Sequence, residues 1–209
     1  MRITLVASAV VALLATAGPA AAKTDSKPCA RKGSTTVAAT KRVRVYEVPN
    51  KDGASNLFGC LRADGKHRIL AKGYDDGLVT SGVYDHVRVA GRFVAWQYTE
   101  TDISCKADCP PGYDPTSAHL SVRDLRRKGR VRVAGEIVPK GRLVLTKGGA
   151  IAWSASRPDN DAIEAFDAAG KRTLDTGQIP PGSLALRDGN LATWKNGGVE
   201  RSARLKSRG

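Results

Sequence analysis

The chain has 209 residues, of which 34 are Lys or Arg and 20 are Asp or Glu, so its formal net charge at pH 7 is +14. This length suits one domain, or a tight pair of domains, with a real hydrophobic core, and the excess of positive charge favours anionic partners. Aromatic residues make up 5% of the chain, which argues against a binding platform of exposed aromatic rings.

The N-terminal residues have the pattern of an export signal. Arg2 precedes an apolar run over 3–17, a Gly-Pro pair interrupts it, and small residues follow at 20–22. This order of charge, apolar segment and small residues is typical of a cleavable signal. We therefore predict a signal peptide over 1–22 and a mature chain that works outside the cytoplasm.

An uncleaved membrane anchor is the alternative for this segment, because residues 3–22 are just long enough to cross a bilayer. No second apolar run of that length follows, so we expect no membrane span after cleavage. The signal holds one Arg and no acid, and its removal leaves a formal charge of about +13. Residues 23–33 are then an N-terminal extension of the folded domain.

All four cysteines follow the predicted cleavage site: Cys29, Cys60, Cys105 and Cys109. An even number of cysteines in an exported chain predicts disulfides, and three pairings are possible. Cys105 and Cys109 lie in a loop rich in Pro and Gly that could close on itself, which would leave Cys29 for Cys60. Zinc is the alternative, but no histidine lies at metal-motif spacing from a cysteine, so we predict neither metal nor cofactor.

Alternating polar and apolar residues predict β-strands along the mature chain. The clearest strand patterns cover 42–48, 119–125 and 130–133. Clusters of Gly, Pro, Asp and Asn separate the strands at short intervals, and long helical patterns are missing. We therefore predict an all-β fold built as an antiparallel meander.

One strand pattern recurs along the chain. Residues 91–96, 149–153 and 189–194 each begin with glycine, continue with alternating apolar residues and end in tryptophan, and 41–46 is a weaker copy that ends in tyrosine. These segments contain every tryptophan of the protein. We expect four aromatic residues to hold equivalent places in successive sheets: Tyr46, Trp96, Trp153 and Trp194.

A second pattern, strand-turn-strand, matches between 59–70, 122–133 and 164–174. The Asp-Gly-Lys type of turn suits the positive φ of a tight hairpin. The aromatic positions are 50, 57 and 41 residues apart, which is the length of a four-stranded unit with inserted loops. The last unit ends near Leu205 without an obvious fourth strand.

In period and pattern, residues 34–205 resemble a degenerate β-propeller of the TolB-like or WD40-like kind, followed by a basic tail over 206–209. The resemblance implies about four sheet units that bury their apolar faces against one another, in a small or incomplete ring. Residues 35–39 could close the ring beside the last unit, or the array could stay open and bury its ends by dimerising. A β-sandwich made from the same hairpins is the alternative fold.

No motif in the sequence dictates a reaction. The Gly-x-Ser-x-Gly elbow is absent, and the acidic pairs near 74–77 and 157–161 suit turns better than a calcium loop. The longest loop, 99–117, together with His119, is the best candidate for recognition by a loop. A small exported hydrolase or lyase with carboxylates on this loop and on 74–77 is therefore the alternative to a protein without catalytic activity.

Positive charge is densest between residues 123 and 142, which hold eight Lys or Arg. Such density attracts polyanions in a salt-dependent way, although the interleaved aromatics of single-strand nucleic-acid binders are absent. Alternatively, Arg130 and Arg132 lie on an outer strand and keep its edge from pairing. We predict a secreted, non-enzymatic binding module for an anionic polymer or a protein partner. The predicted binding residues are Arg123, Arg126, Arg127, Lys128, Arg130 and Arg132.

Overall fold

A computed structural model describes residues 29–75, 80–102, 104, 115–138 and 140–208. Within these ranges the chain forms sixteen β-strands and one short 3-10 turn at Pro181–Ser183, so the predicted all-β fold is confirmed. The predicted signal segment and both Cys105 and Cys109 lie outside the described residues.

The strands form four antiparallel sheets, each a meander in which consecutive strands are hydrogen-bonded neighbours, and none closes into a barrel. Sheet A contains β1 (Thr35–Ala39), β2 (Val43–Pro49), β3 (Ser55–Leu61) and β4 (His67–Lys72). Sheet B contains β5 (Tyr74–Asp75), β6 (Thr80–Ala90), β7 (Phe93–Asp102), β8 (Thr116–Asp124) and β9 (Val131–Ala134). Sheet C contains β10 (Leu143–Leu145), β11 (Ile151–Ser156), β12 (Asp161–Asp167) and β13 (Gly170–Gly177). Sheet D contains β14 (Ala185–Arg187), β15 (Leu191–Asn196) and β16 (Val199–Arg204).

The four aromatic residues singled out in the sequence lie on matching strands, one in each sheet. Tyr46 lies on β2, Trp96 on β7, Trp153 on β11 and Trp194 on β15, and each of these strands has a partner strand on both sides. None of the four side chains is more than 3% exposed. The three strand-turn-strand segments are the hairpins β3–β4, β8–β9 and β12–β13.

Three apolar cores join the sheets in the order A, B, C, D. Trp96 lies in the core between sheets A and B, Trp153 in the core between B and C, and Trp194 in the core between C and D. Successive side chains of a strand point to opposite faces, and β7 and β11 therefore supply residues to two cores each. Their burial on both faces explains why each strand begins with an unbroken apolar run that ends in tryptophan, at 93–96 in β7 and at 151–153 in β11.

The four sheets are arranged about a common depression. The inner strands β1, β6, β10 and β14 contact one another in that order. The turns that follow these strands, at 40–42, 89–91, 145–147 and 186–189, contribute to the lining of one cavity of 530 Å³. A cavity lined by all four sheets requires the stack to curve, and the described strands form four sheets rather than the two of a β-sandwich.

One expectation was that residues 35–39 pair beside the last sheet and close the ring. They do not. They form β1, which pairs with β2 in sheet A. The connection explains this result: Thr40 caps a short turn, with its backbone N–H 2.8 Å from Val43 O and its hydroxyl accepting from Val43 N at 3.1 Å. A local hairpin costs less loop-closure entropy than a pairing with the distant β16, and sheet D keeps three strands.

The free face of sheet A is covered by the N-terminal segment 29–34, which we call the N-terminal cap. Cys29 forms a disulfide with Cys60 of β3, as the spacing of the cysteines favoured. The Tyr46 ring lies under this cap, fully buried, and stacks on Phe58 with 5.5 Å between ring centroids. The face that the preceding sheet covers in sheets B, C and D is thus covered here by the chain's own N-terminal residues.

Arg44 fastens the cap to sheet A. Its guanidinium donates hydrogen bonds to Cys29 O at 2.7 Å, to Ser34 Oγ at 3.1 Å and to Thr36 Oγ1 at 2.8 Å. The same group lies 4.8 Å from the centre of the Tyr46 ring, a distance that suits a cation–π contact. One arginine therefore joins the cap, β1 and the buried aromatic pair.

Candidate functional site

The outer edges of sheets A and B enclose a groove of 530 Å³, the A–B groove. One wall is β4, from Ile69 to Lys72, and the other is formed by the ends of β5, β7 and β8 with the turn that leads into β9. Because β4 and β9 are the outermost strands of their sheets, the groove lies at the rim of the sheet stack. It is open to solvent along this rim.

Arginines from sheet B span the groove and bind the backbone of sheet A. Arg123 Nη1 donates to Ile69 O at 2.6 Å, and Arg130 Nη1 donates to Leu70 O at 2.9 Å. In the opposite direction, Arg68 Nε donates to Leu125 O at 2.7 Å. These bonds satisfy main-chain carbonyls at the sheet rim, and they hold the guanidiniums in fixed positions.

Positive charge is crowded in the groove. Its lining includes four cationic side chains and a single acidic one among the described residues: Lys72, Arg123, Arg130, Arg132 and Glu100. Burial lowers the pKa of Arg123, and the charges of Arg68 and Arg130 lower it further. Burial and the charge of Arg132 likewise lower the pKa of Arg130. Arginine nevertheless stays charged at neutral pH, so an anion between these groups would relieve their mutual repulsion.

Two tyrosines and Glu100 form one end of the groove. Tyr74 of β5 pairs with Gly82 of β6, which pairs with Glu100 of β7. A Cβ at Gly82 would clash with the Tyr98 hydroxyl and lie 2.7 Å from Tyr74 Cε1, so glycine lets both rings pack over the strand. The Tyr74 hydroxyl donates to the Glu100 carboxylate, and the Tyr98 hydroxyl donates to Lys72 O at 3.1 Å.

His119 packs against Tyr98, with 5.4 Å between ring centroids. Its Nε2 is buried and has no hydrogen-bond partner among the described residues. Burial lowers the pKa of His119, and Arg132 and Arg130 lower it further, while Glu100 acts in the opposite direction. An imidazole whose pKa lies below its ordinary value near 6.5 is mostly neutral at pH 7, so the positive charge of the groove comes from its arginines and Lys72.

The structure divides the six predicted binding residues into two groups. Arg123, Arg130 and Arg132 line the A–B groove, whereas the exposed residues 126–128 form the turn between β8 and β9. Arg127 and Lys128 border a smaller cavity of 230 Å³ that extends towards Phe93 and Arg208. The sequence did not indicate Lys72, Tyr74, Tyr98 or Glu100 as partners of the arginines. The packing of β4 against sheet B brings in Lys72, and the strand register of sheet B brings in the other three.

The described part of the basic C-terminal tail does not line the groove but packs on sheet C. Lys206 N donates to Asp167 Oδ2 at 3.0 Å, and the Arg208 guanidinium lies 4.1 Å from the centre of the Phe166 ring. Asp167 is fully buried and also accepts hydrogen bonds from Arg172 and from Ala169 N, each at 2.8 Å. Burial alone would raise the pKa of Asp167, but these hydrogen bonds outweigh it and hold the pKa below its ordinary value.

Replacing Asp167 by Asn is expected to lower the free energy of unfolding by about 2 kcal/mol at pH 7, because hydrogen bonds to a buried carboxylate are lost or weakened. A carboxyl with a depressed folded-state pKa stabilises the fold above its unfolded-state pKa of about 3.9, and this contribution is lost as pH falls through the folded-state pKa. Urea denaturation from pH 7 to pH 3 should therefore show the gap between wild type and D167N shrinking below about pH 4. The exposed Asp159 supplies the control D159N, and an equally large gap for D159N would contradict this account.

Within the described ranges, no group of three or more His, Cys, Asp or Glu residues could hold a metal ion. No helix in that part of the chain is long and apolar enough to cross a membrane.

No protein-family model matches the chain, and no curated protein matches it. Among solved structures, the chain is similar to TolB from Acinetobacter baumannii, at 15% sequence identity and a TM-score of 0.33. The similarity covers 80% of this chain and 42% of that one, so this chain spans less than half of the TolB structure.

Proposed function

We propose that this protein is an extracytoplasmic, β-propeller-like binding module that holds an anionic polymer in the A–B groove. The observation that carries the proposal is the composition of the groove, where four cationic side chains face one carboxylate among the described residues. Two of the arginines are fixed by bonds to the β4 backbone. An anion would therefore meet positioned guanidiniums, whose planar donors suit carboxylate and phosphate groups.

Two further features support the proposed compartment and the propeller-like fold. The Cys29–Cys60 disulfide fits an oxidising compartment, in agreement with the export signal predicted over 1–22. The four sheets with matching aromatic strands and a shared depression fit a propeller-like array. In such arrays, the edges and connections of a rigid β scaffold commonly carry the binding surface.

Binding explains the groove better than hydrolysis does. A glycosidase of the common type needs two carboxylates that flank the scissile bond, and the described lining offers Glu100 alone. His119 Nε2 is buried, and His119 is not among the residues that line the groove. We therefore favour a non-enzymatic role over the hydrolase or lyase alternative.

The proposal is tested by chromatography on an immobilised polyanion such as dextran sulfate. The protein should be retained at low salt and elute as salt rises, because counterion release makes such binding salt-dependent. The variant R123Q/R130Q/R132Q should elute at lower salt, with a log–log salt slope smaller by about one per lost contact.

A matched control removes the same amount of charge elsewhere. Lys51, Lys66 and Lys195 are exposed and lie outside the groove lining, so K51Q/K66Q/K195Q should elute much closer to the wild-type protein. Passage of the wild-type protein through the column at low salt, or equal shifts for both triple variants, would contradict the proposed site.

A further inference from the structure

Glu100 places a carboxylate in the A–B groove, and a site that binds only polyanions does not require one. Its side chain is exposed, it accepts a hydrogen bond from the Tyr74 hydroxyl, and no ion pair joins it to a cation among the described residues. An ionised carboxylate has acceptor capacity for several hydrogen bonds. It attracts hydroxyl donors and repels phosphate or carboxylate groups.

The register of sheet B places the Glu100 carboxylate and the arginines at different positions along the groove, which we call its two levels. Glu100 pairs with Ser117 of β8, whereas Arg132 pairs with Ser121 of the same strand. Four residues of a β-strand span about 14 Å. The groove thus presents an acceptor at one level and guanidinium donors at another, over a length that exceeds a single small anion.

Tyr74 and Tyr98 lie beside the acceptor, and both line the groove. Tyrosine combines an apolar ring with a polar hydroxyl, which suits contact with the mixed apolar and hydroxylated surface of a sugar. Two of the chain's five tyrosines are thus gathered at the acidic end, and the space at Gly82 is what admits both rings.

We propose that the ligand of the A–B groove is an acidic glycan of the uronic-acid type, with Arg123, Arg130 and Arg132 binding carboxylates and Glu100 accepting hydrogen bonds from sugar hydroxyls. This inference rests on the proposed function of the groove as a polyanion site. A uronic-acid polymer carries both an anionic group and hydroxyl donors on each residue, and it therefore matches both levels of the groove. A polyphosphate has no donor for Glu100 and meets the repulsion of its charge.

The experiment compares two probes, polygalacturonate and polyphosphate of similar charge and length, by titration calorimetry at pH 7 and fixed ionic strength. We expect wild type to bind polygalacturonate more tightly. E100Q keeps the size of the side chain and an acceptor for Tyr74, but it weakens the acceptor and removes the negative charge. This variant should bind polygalacturonate up to about tenfold more weakly, since hydrogen bonds to charged groups are the stronger ones, and it should bind polyphosphate more tightly.

The outcomes separate this inference from the proposed function. If E100Q binds both probes more tightly than wild type, the groove is a general polyanion site, and the glycan assignment is wrong while the proposed function stands. If wild type binds polyphosphate more tightly than polygalacturonate, the glycan assignment is also wrong.

The arginine variants test the groove itself. If R123Q/R130Q/R132Q binds both probes as wild type does, the groove is not the site, and both proposals are wrong. Arg123 and Arg130 also bind the β4 backbone, so the single variant R132Q, at an exposed position, is measured alongside the triple variant. Unchanged affinity of a folded R132Q for polygalacturonate would likewise contradict the assignment of Arg132.

Discussion

Replacement of both Cys29 and Cys60 by Ala is expected to lower the free energy of unfolding by about 4 kcal/mol. The disulfide joins residues that are 31 positions apart, and in the chain-entropy model a cross-link of that length destabilises the unfolded state by about this amount. Guanidinium denaturation of the wild type, of the C29A/C60A variant and of the reduced wild type measures the difference. Equal midpoints for the oxidised wild type and the variant would contradict the prediction.

The loss of the disulfide should also have a local signature. The bond holds the N-terminal cap over Tyr46 and Phe58, and among the described residues no sheet precedes sheet A to cover that face. Hydrogen exchange of C29A/C60A should therefore rise first in 29–39 and in β2, before it rises in sheets B and C. The variant R44Q is the companion, because it removes the hydrogen bonds of the cap but keeps the covalent link. It should show the same local pattern with a smaller loss of stability.

The cap explains how an array with free ends can bury its first aromatic position. The sequence suggested two solutions, a strand that closes the ring or a dimer, because an array of about four units, the last without an obvious fourth strand, has free ends to bury. The cap instead combines Cys29 with Arg44, residues that are 15 positions apart and joined by a hydrogen bond. Arg44 lies within the 41–46 copy of the repeated pattern, but Cys29 lies outside every copy, so the pattern could not indicate their contact.

The sheet architecture could be predicted because it follows from local pattern. In β7, Val94 and Trp96 face sheet A while Phe93 and Ala95 face sheet C, so the strand appears in the sequence as an apolar run that ends in tryptophan. The same packing on both faces recurs in β11. The two-residue strand β5 was missed, since Tyr74–Asp75 is too short to show any alternation.

The candidate site could be predicted only in part. The density of charge can be counted along the sequence, whereas the shape of the groove depends on contacts between residues that are far apart in the sequence. Arg123 and Arg130 stood out by density, yet their bonds to Ile69 and Leu70 span 54 and 60 positions. Such contacts are set by the packing of sheet A on sheet B. The sequence predicts a loop over 99–117, but both ends of this segment are strand: β7 extends to Asp102 and β8 begins at Thr116. Glu100 therefore lies on β7, and its contact with Tyr74 depends on the register of three strands.

The alternative explanation for the basic strand, protection of a sheet edge, agrees with the position of the strand. Arg132 is exposed on β9, the outermost strand of sheet B, and Arg130 directly precedes this strand. Charged side chains on an outer strand discourage pairing with another molecule. The same positions face the groove, so edge protection and anion binding are compatible roles of these two arginines.

Trp153→Ala is expected to lower the free energy of unfolding by about 3–5 kcal/mol, the range for loss of a large buried aromatic side chain. The ring is fully buried between sheets B and C. It packs so closely on Gly135 that a Cβ there would lie 2.8 Å from Trp153 Cζ2. Backbone therefore forms one wall of the ring's pocket, and no neighbouring side chain at Gly135 can fill the cavity that W153A leaves.

Substitution by phenylalanine separates packing from hydrogen bonding in these tryptophans. Trp153 Nε1 is buried without a hydrogen-bond partner among the described residues, whereas Trp194 Nε1 donates to Asp175 Oδ2 at 2.7 Å. Burial would raise the pKa of Asp175, but hydrogen bonds led by that of Trp194 outweigh it and hold the pKa below its ordinary value. W194F should therefore cost about 1 kcal/mol more than W153F near pH 7, and this excess should shrink as Asp175 is protonated at low pH. Urea denaturation of both variants at pH 7 and pH 3 measures the excess, and a larger cost for W153F than for W194F at pH 7 would contradict the assignment.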